Sequence, residues 1–97
     1  MHIEPEHLEL AKRILTFWAP NVPAYAFGSR ATGRLLKRTS DLDICLKGDE
    51  KLSSDMLRDV KDAFEISRMP YRVDVIDWYQ VQPYFQDAIR DDLVRIL

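Results

Sequence analysis

Two short acidic strands constrain this chain more than any other feature. Asp41-Leu42-Asp43-Ile44-Cys45-Leu46-Lys47 alternates with a period of two: Leu42, Ile44 and Leu46 point to one side, Asp41, Asp43 and Cys45 to the other. Tyr71-Arg72-Val73-Asp74-Val75-Ile76-Asp77 repeats the pattern about thirty residues later. Val73 and Val75 are its natural core pair, which sets Asp74 on the opposite side and turns Asp77 inward. A sheet holding both strands buries their aliphatic faces and gathers Asp41, Asp43 and Asp74 on the other. Asp41 and Asp43 then stand roughly 7 Å apart along the backbone. Such a cluster repels itself unless a cation lies among the acids. Magnesium suits this role, because it takes oxygen ligands and few protein carboxylates, leaving places for phosphate and water. Two such ions roughly 3.5–4 Å apart hold both the attacking and the leaving oxygen of an in-line displacement.

An apolar run, Ala24-Tyr25-Ala26-Phe27, leads directly into Gly28-Ser29. Glycine permits a tight turn and a close ligand approach. The backbone N–H groups after it and the Ser29 hydroxyl are suited to phosphate oxygens. A Gly-Ser pair alone means little; its weight comes from its place just before the Asp-x-Asp strand. A basic cluster follows: Arg30, Arg34, Lys37 and Arg38. Arg30, beside the turn, is expected to add a cation for a bound triphosphate. Over the whole chain the net charge is −2, with 31% charged residues of mixed sign. That balance argues against direct binding of nucleic acid through bulk charge.

Ninety-seven residues, 46% of them hydrophobic, are expected to form one domain spanning 1–97 around one core. Pro5 to Trp18 reads as an amphipathic helix with Leu8, Ala11, Ile14, Leu15 and Trp18 inward. Ser53 or Ser54 opens a second long helix reaching about Arg68, with Leu57, Val60, Ala63 and Phe64 as its stripe. Gln82 or Pro83 opens a third. Leu93 to Leu97 either completes that helix or adds an edge strand. The fold class expected is α/β (α+β), a small mixed sheet of three to four strands. Its helices pack on the face of Leu42, Ile44 and Leu46 and leave the aspartate face open. Trp18, Phe27, Phe64, Trp78 and Phe85 are expected in the core. Tyr71, Trp78, Tyr79 and Tyr84 cluster around the third strand, where some are expected to serve a partner surface. His2 and His7 lack the spacing of a helical metal pair. Cys45 is the only cysteine, so no disulfide forms within the chain. No secretory or membrane-spanning pattern is visible, and the chain reads as soluble and cytoplasmic.

Taken together, Ala26-Phe27-Gly28-Ser29-Arg30-Ala31-Thr32-Gly33, Ser40-Asp41-Leu42-Asp43 and Arg72-Val73-Asp74 resemble the DNA polymerase β-like nucleotidyltransferase superfamily. Within it the chain is similar to the MNT-type minimal nucleotidyltransferases, the antitoxins of HEPN/MNT toxin–antitoxin pairs. One departure is the spacer of eleven residues, 30 to 40, between Ser29 and Asp41, one longer than the family's usual spacer. The resemblance implies magnesium held by Asp41, Asp43 and Asp74, with Asp74 also serving as base. It implies a nucleoside triphosphate, ATP, bound at Gly28, Ser29 and Arg30. The implied reaction is adenylylation of a HEPN-type toxin within a hetero-oligomer. The alternative is a non-catalytic antitoxin that blocks its partner by contact.

Overall fold

The computed structural model describes residues 1–97. Helix α1 (Pro5–Trp18) has Pro5 in its first turn and buries Ala11 and Leu15. Strand β1 (Ala24–Phe27) follows the Pro20–Pro23 break, and α2 (Ser29–Thr32) is a single turn immediately after Gly28. Strand β2 (Leu42–Leu46) precedes α3 (Ser54–Glu65), which is capped by Ser53, whose hydroxyl accepts from the Met56 N–H at 3.1 Å. Helix α3 stops at Glu65, three residues short of the expected Arg68. There the Ser67 hydroxyl donates to the Phe64 carbonyl at 2.6 Å, and Pro70 lies ahead. Strand β3 (Val73–Asp77), a 3-10 turn (Trp78–Gln80), α4 (Pro83–Ile89), a second 3-10 turn (Arg90–Asp92) and β4 (Val94–Arg95) complete the chain. Its end is therefore an edge strand, not a continuation of α4.

The sheet is four-stranded in the order β3-β2-β1-β4. β1 pairs antiparallel with both β2 and β4, while β2 and β3 are parallel. A parallel neighbour needs a crossover, which α3 supplies. Leu42, Ile44, Leu46, Val60 and Phe64 pack with Ala11, Leu15 and Val75 in a core of twelve buried residues. Each fully buried Leu or Ile here contributes about 1.5–3 kcal/mol. Ala24 and Ala26 are fully buried on this same face, where their small side chains leave room for the helices.

Two expectations need correction. The face opposite this core is not wholly open. Phe27, Cys45, Trp78 and Ile89 form a second buried cluster there, with Ile76 and Phe85 against it. Helix α4 thus packs on the other side of the sheet from α1 and α3. Periodicity shows that α4 has an apolar stripe but not which face it meets. Trp18 is 41% exposed and stacks edge-on with Phe17, because Ala19 takes the inward position one residue later. Tyr84 likewise points outward while Phe85 packs inward. Asp77 does turn inward as its parity requires. It is buried and accepts from Leu52 N–H at 2.7 Å, Gln80 Nε2 at 3.0 Å and Tyr79 N–H at 3.1 Å.

Candidate active site

The site begins with the register of two strands. Asp43 on β2 lies directly opposite Asp74 on β3. Phe27, the last residue of β1, lies opposite Asp43 on the other side. The next residue, Gly28, has φ +74°, and a Cβ placed there would run into the Asp43 carboxylate. Only a bare backbone fits this turn so close to the acid. Ser29 opens α2, whose first N–H groups have no acceptor within the helix. Gly33, at φ +80°, closes it by donating its N–H to the Ser29 carbonyl at 2.7 Å. The Gly28-Ser29 turn and the two strand acids therefore share one end of the sheet. Asp41, just before β2, is half-buried beside them.

The charges at this end are mutually unfavourable. The Asp43 carboxyl is pushed up to about 6, first by burial, then by the negative charges of Asp74 and Asp41, with Arg72 opposing. Asp74 Oδ1 accepts from Arg72 Nε at 3.0 Å. Arg72 and Asp74, two apart on one strand, share a face, so this pair follows from the same parity that places the acid. A cavity of about 1040 Å³ runs beside β3, lined by Asp43, Asp74, Arg72, Lys61 and Tyr71 among others.

The donor set fits a hard cation in one respect and not in another. All three side chains are carboxylates, and Asp43, raised first by burial, also feels the negative charges of Asp74 and Asp41. As the side chains lie, however, no three acids converge on one point. Magnesium does not require such a cage, since it is commonly held by one or two carboxylates plus substrate phosphates. Asp43 and Asp41, with Asp74 once released by Arg72, are the residues that would hold it.

Arg30 departs from its expected role. Its residue is only 7% exposed. Its Nε donates to the Ser40 carbonyl at 2.8 Å, Nη1 to that of His2 at 3.1 Å and Nη2 to that of Arg38 at 3.0 Å. Its guanidinium lies 3.7 Å from the centre of the Tyr71 ring. All three nitrogens of Arg30 are committed to backbone and ring, and it lines a different cavity from Asp43 and Asp74. It braces the loop between α2 and β2. Charge and position in the sequence could not reveal this, because its partners are main-chain carbonyls. The sequence reading also missed Arg72 as the partner of Asp74; their two-residue spacing was the available signal.

With this geometry in place, the chain belongs to the nucleotidyltransferase domain family, whose pattern matches residues 8–96. It is 38% identical over 97 residues to the probable protein adenylyltransferase MntA of Haemophilus influenzae, spanning 99% of this chain and 83% of that relative. Its fold resembles a crystal structure of a toxin–antitoxin with AMP-PNP, at TM-score 0.74 and 19% identity, covering 97% of this chain and 73% of the other. It also resembles the complex of a tri-AMPylated Shewanella oneidensis HEPN toxin with an MNT antitoxin, at TM-score 0.71 and 13% identity, covering 98% and 72%. The mixed sheet and helices expected from the sequence agree with these neighbours.

Proposed function

We propose that this protein is a magnesium-dependent adenylyltransferase that transfers AMP from ATP to a hydroxyl of a HEPN-type partner protein, and so acts as its antitoxin. The observation that carries this reading is the meeting of three elements at one sheet end. Gly28 lies against Asp43, and Asp43 lies opposite Asp74. The likeness to a probable protein adenylyltransferase supports the reaction class, and the likeness to HEPN complexes supports the partner. We place the reaction in the cytoplasm, where ATP and reduced thiols such as Cys45 are the norm.

In this reading the Ser29 hydroxyl and the first N–H groups of α2 hold the phosphates. Asp41, Asp43 and Asp74 would hold a magnesium ion, whose chemistry when bound would be to neutralise developing charge on the phosphates. Asp74 also takes the proton from the acceptor hydroxyl. The acceptor oxygen bonds to the α-phosphorus, and the bond from that phosphorus to the bridging oxygen of pyrophosphate breaks. The protein contributes position and electrostatics more than covalent chemistry. Arg30 contributes by bracing the loop.

The test is transfer of label from α-labelled ATP to a co-purified HEPN partner with magnesium present. Asp41→Asn with Asp43→Asn should abolish labelling and leave the circular dichroism spectrum unchanged. Undiminished labelling would sink the metal assignment. If that double variant still protects cells from the partner, neutralisation occurs by contact and not by transfer.

A further inference from the structure

The loop joining α2 to β2 carries a feature that the proposed chemistry does not use. Its tip, Arg34-Leu35-Leu36-Lys37-Arg38, places two leucines among three basic residues and contains no acid. Leu35 is 93% exposed and Leu36 37%. Leu35 also sits at φ +55°, in the left-handed region that a branched apolar residue rarely adopts. An exposed leucine gains nothing from burial there to offset the strain.

The loop beneath the tip is firmly held. Arg30 ties the Arg38 and Ser40 carbonyls together, and Lys37 N–H donates to the Ser40 hydroxyl at 2.8 Å. On the near side, Arg34 Nη2 reaches Asp92 Oδ2 at 2.9 Å. Lys37 and Arg38 form no ion pair within the chain, although its net charge is −2. The result is a braced stem that presents a strained apolar tip with two unpaired cations. A stem held in advance lowers the ordering cost of binding, and a strained backbone kept without local benefit points to use elsewhere.

We propose that Leu35 and Leu36 form a docking knob for the partner protein that is modified. They would enter an apolar pocket whose rim is acidic and pairs with Lys37 and Arg38. This rests on the adenylyltransferase reading above, which it deepens by naming the surface that brings the acceptor. The location suits it, because the loop runs directly from the phosphate turn to Asp41. The chemistry favours protein over RNA: single-stranded RNA is held largely by aromatic rings on which bases stack, whereas the tip contains no aromatic residue and its most exposed side chain is the aliphatic Leu35.

Leu35→Asn separates docking from folding, because Asn tolerates positive φ while lacking the apolar contact. The full chain and a HEPN-type partner protein would be titrated by calorimetry, with thermal unfolding and non-hydrolysable ATP binding measured in parallel. Leu35→Asn should keep or raise the melting temperature, leave nucleotide affinity unchanged and weaken partner affinity about tenfold or more. Lys37→Glu with Arg38→Glu should also weaken it and flatten its dependence on salt. Unchanged partner affinity in Leu35→Asn, with the wild type binding, would overturn the knob and leave the function standing. Failure of the wild type to bind that protein would overturn both. Self-association lost in Leu35→Asn, or RNA binding lost in the charge reversal but kept in Leu35→Asn, would assign the loop to another occupant and overturn the proposal.

Discussion

Asp43 concentrates the electrostatic problem of this molecule in one side chain. Its folded-state pKa, about 6, stands above its ordinary 3.8. The folded protein therefore holds this proton more tightly than the unfolded chain does. The sign follows: stability falls as pH rises between these two values, and the penalty is complete above the upper one. Asp43→Asn should raise the melting temperature at about pH 7.5 and lose that advantage at about pH 3.5. A thermal-melt series across pH checks this, and an equal effect at both ends would refute it. Arg72 supplies the only attraction that lowers the Asp43 value. Arg72 also ties up Asp74 in an ion pair, so Arg72→Ala should free that carboxylate and tighten manganese binding by the nucleotide-free protein, while Arg72→Lys should retain the wild-type value. Manganese titration by electron paramagnetic resonance reads both. The strand acids were legible in the sequence because a two-residue period places carboxylates without knowledge of anything distant. The bracing role of Arg30 was not legible, since the carbonyls of His2, Arg38 and Ser40 meet only once the loop has folded.

At the scale of elements, joints matter more than the strands and helices they connect. Buried Asp77 receives three hydrogen bonds, from Leu52, Tyr79 and Gln80, and so fastens the entry to α3 to the end of β3. Asp77→Ala would leave those donors without their acceptor, and a loss of about 2–5 kcal/mol in urea unfolding is expected. Arg30→Lys tests the loop brace in the same way. An ammonium cannot reproduce the planar fork across three carbonyls, so a loss of about 1–3 kcal/mol is expected. Helix and strand positions were readable from periodicity to within a few residues. Sidedness was readable only where a strand alternates. The stripe of α4 did not say that it would cover Cys45 and Phe27, because either face of the sheet offers an apolar surface at that end. The fate of the last residues was open for a similar reason. A two-residue strand such as β4 has too few positions to show a period, and its pairing with β1 comes from the neighbour.

Across the whole molecule, the two apolar clusters divide the labour of the sheet. The larger one under α1 and α3 carries stability, and the smaller one under α4 leaves the Asp43–Asp74 end uncovered. Ile44→Ala, at the centre of the larger cluster, should cost about 2–5 kcal/mol and shift the entire unfolding transition. Truncation of half-exposed Trp18 should cost far less; comparable losses would show that the division is wrong. The parallel pairing of β2 with β3 has one more consequence, and it concerns time. Asp43 and Asp74 become neighbours only after the intervening α3 crossover has closed a long loop. Such non-local closure is slow relative to helix formation. During refolding, the acidic pair should therefore assemble late, so that a newly made chain acquires its charge-repelling centre only after the scaffold able to tolerate it is in place.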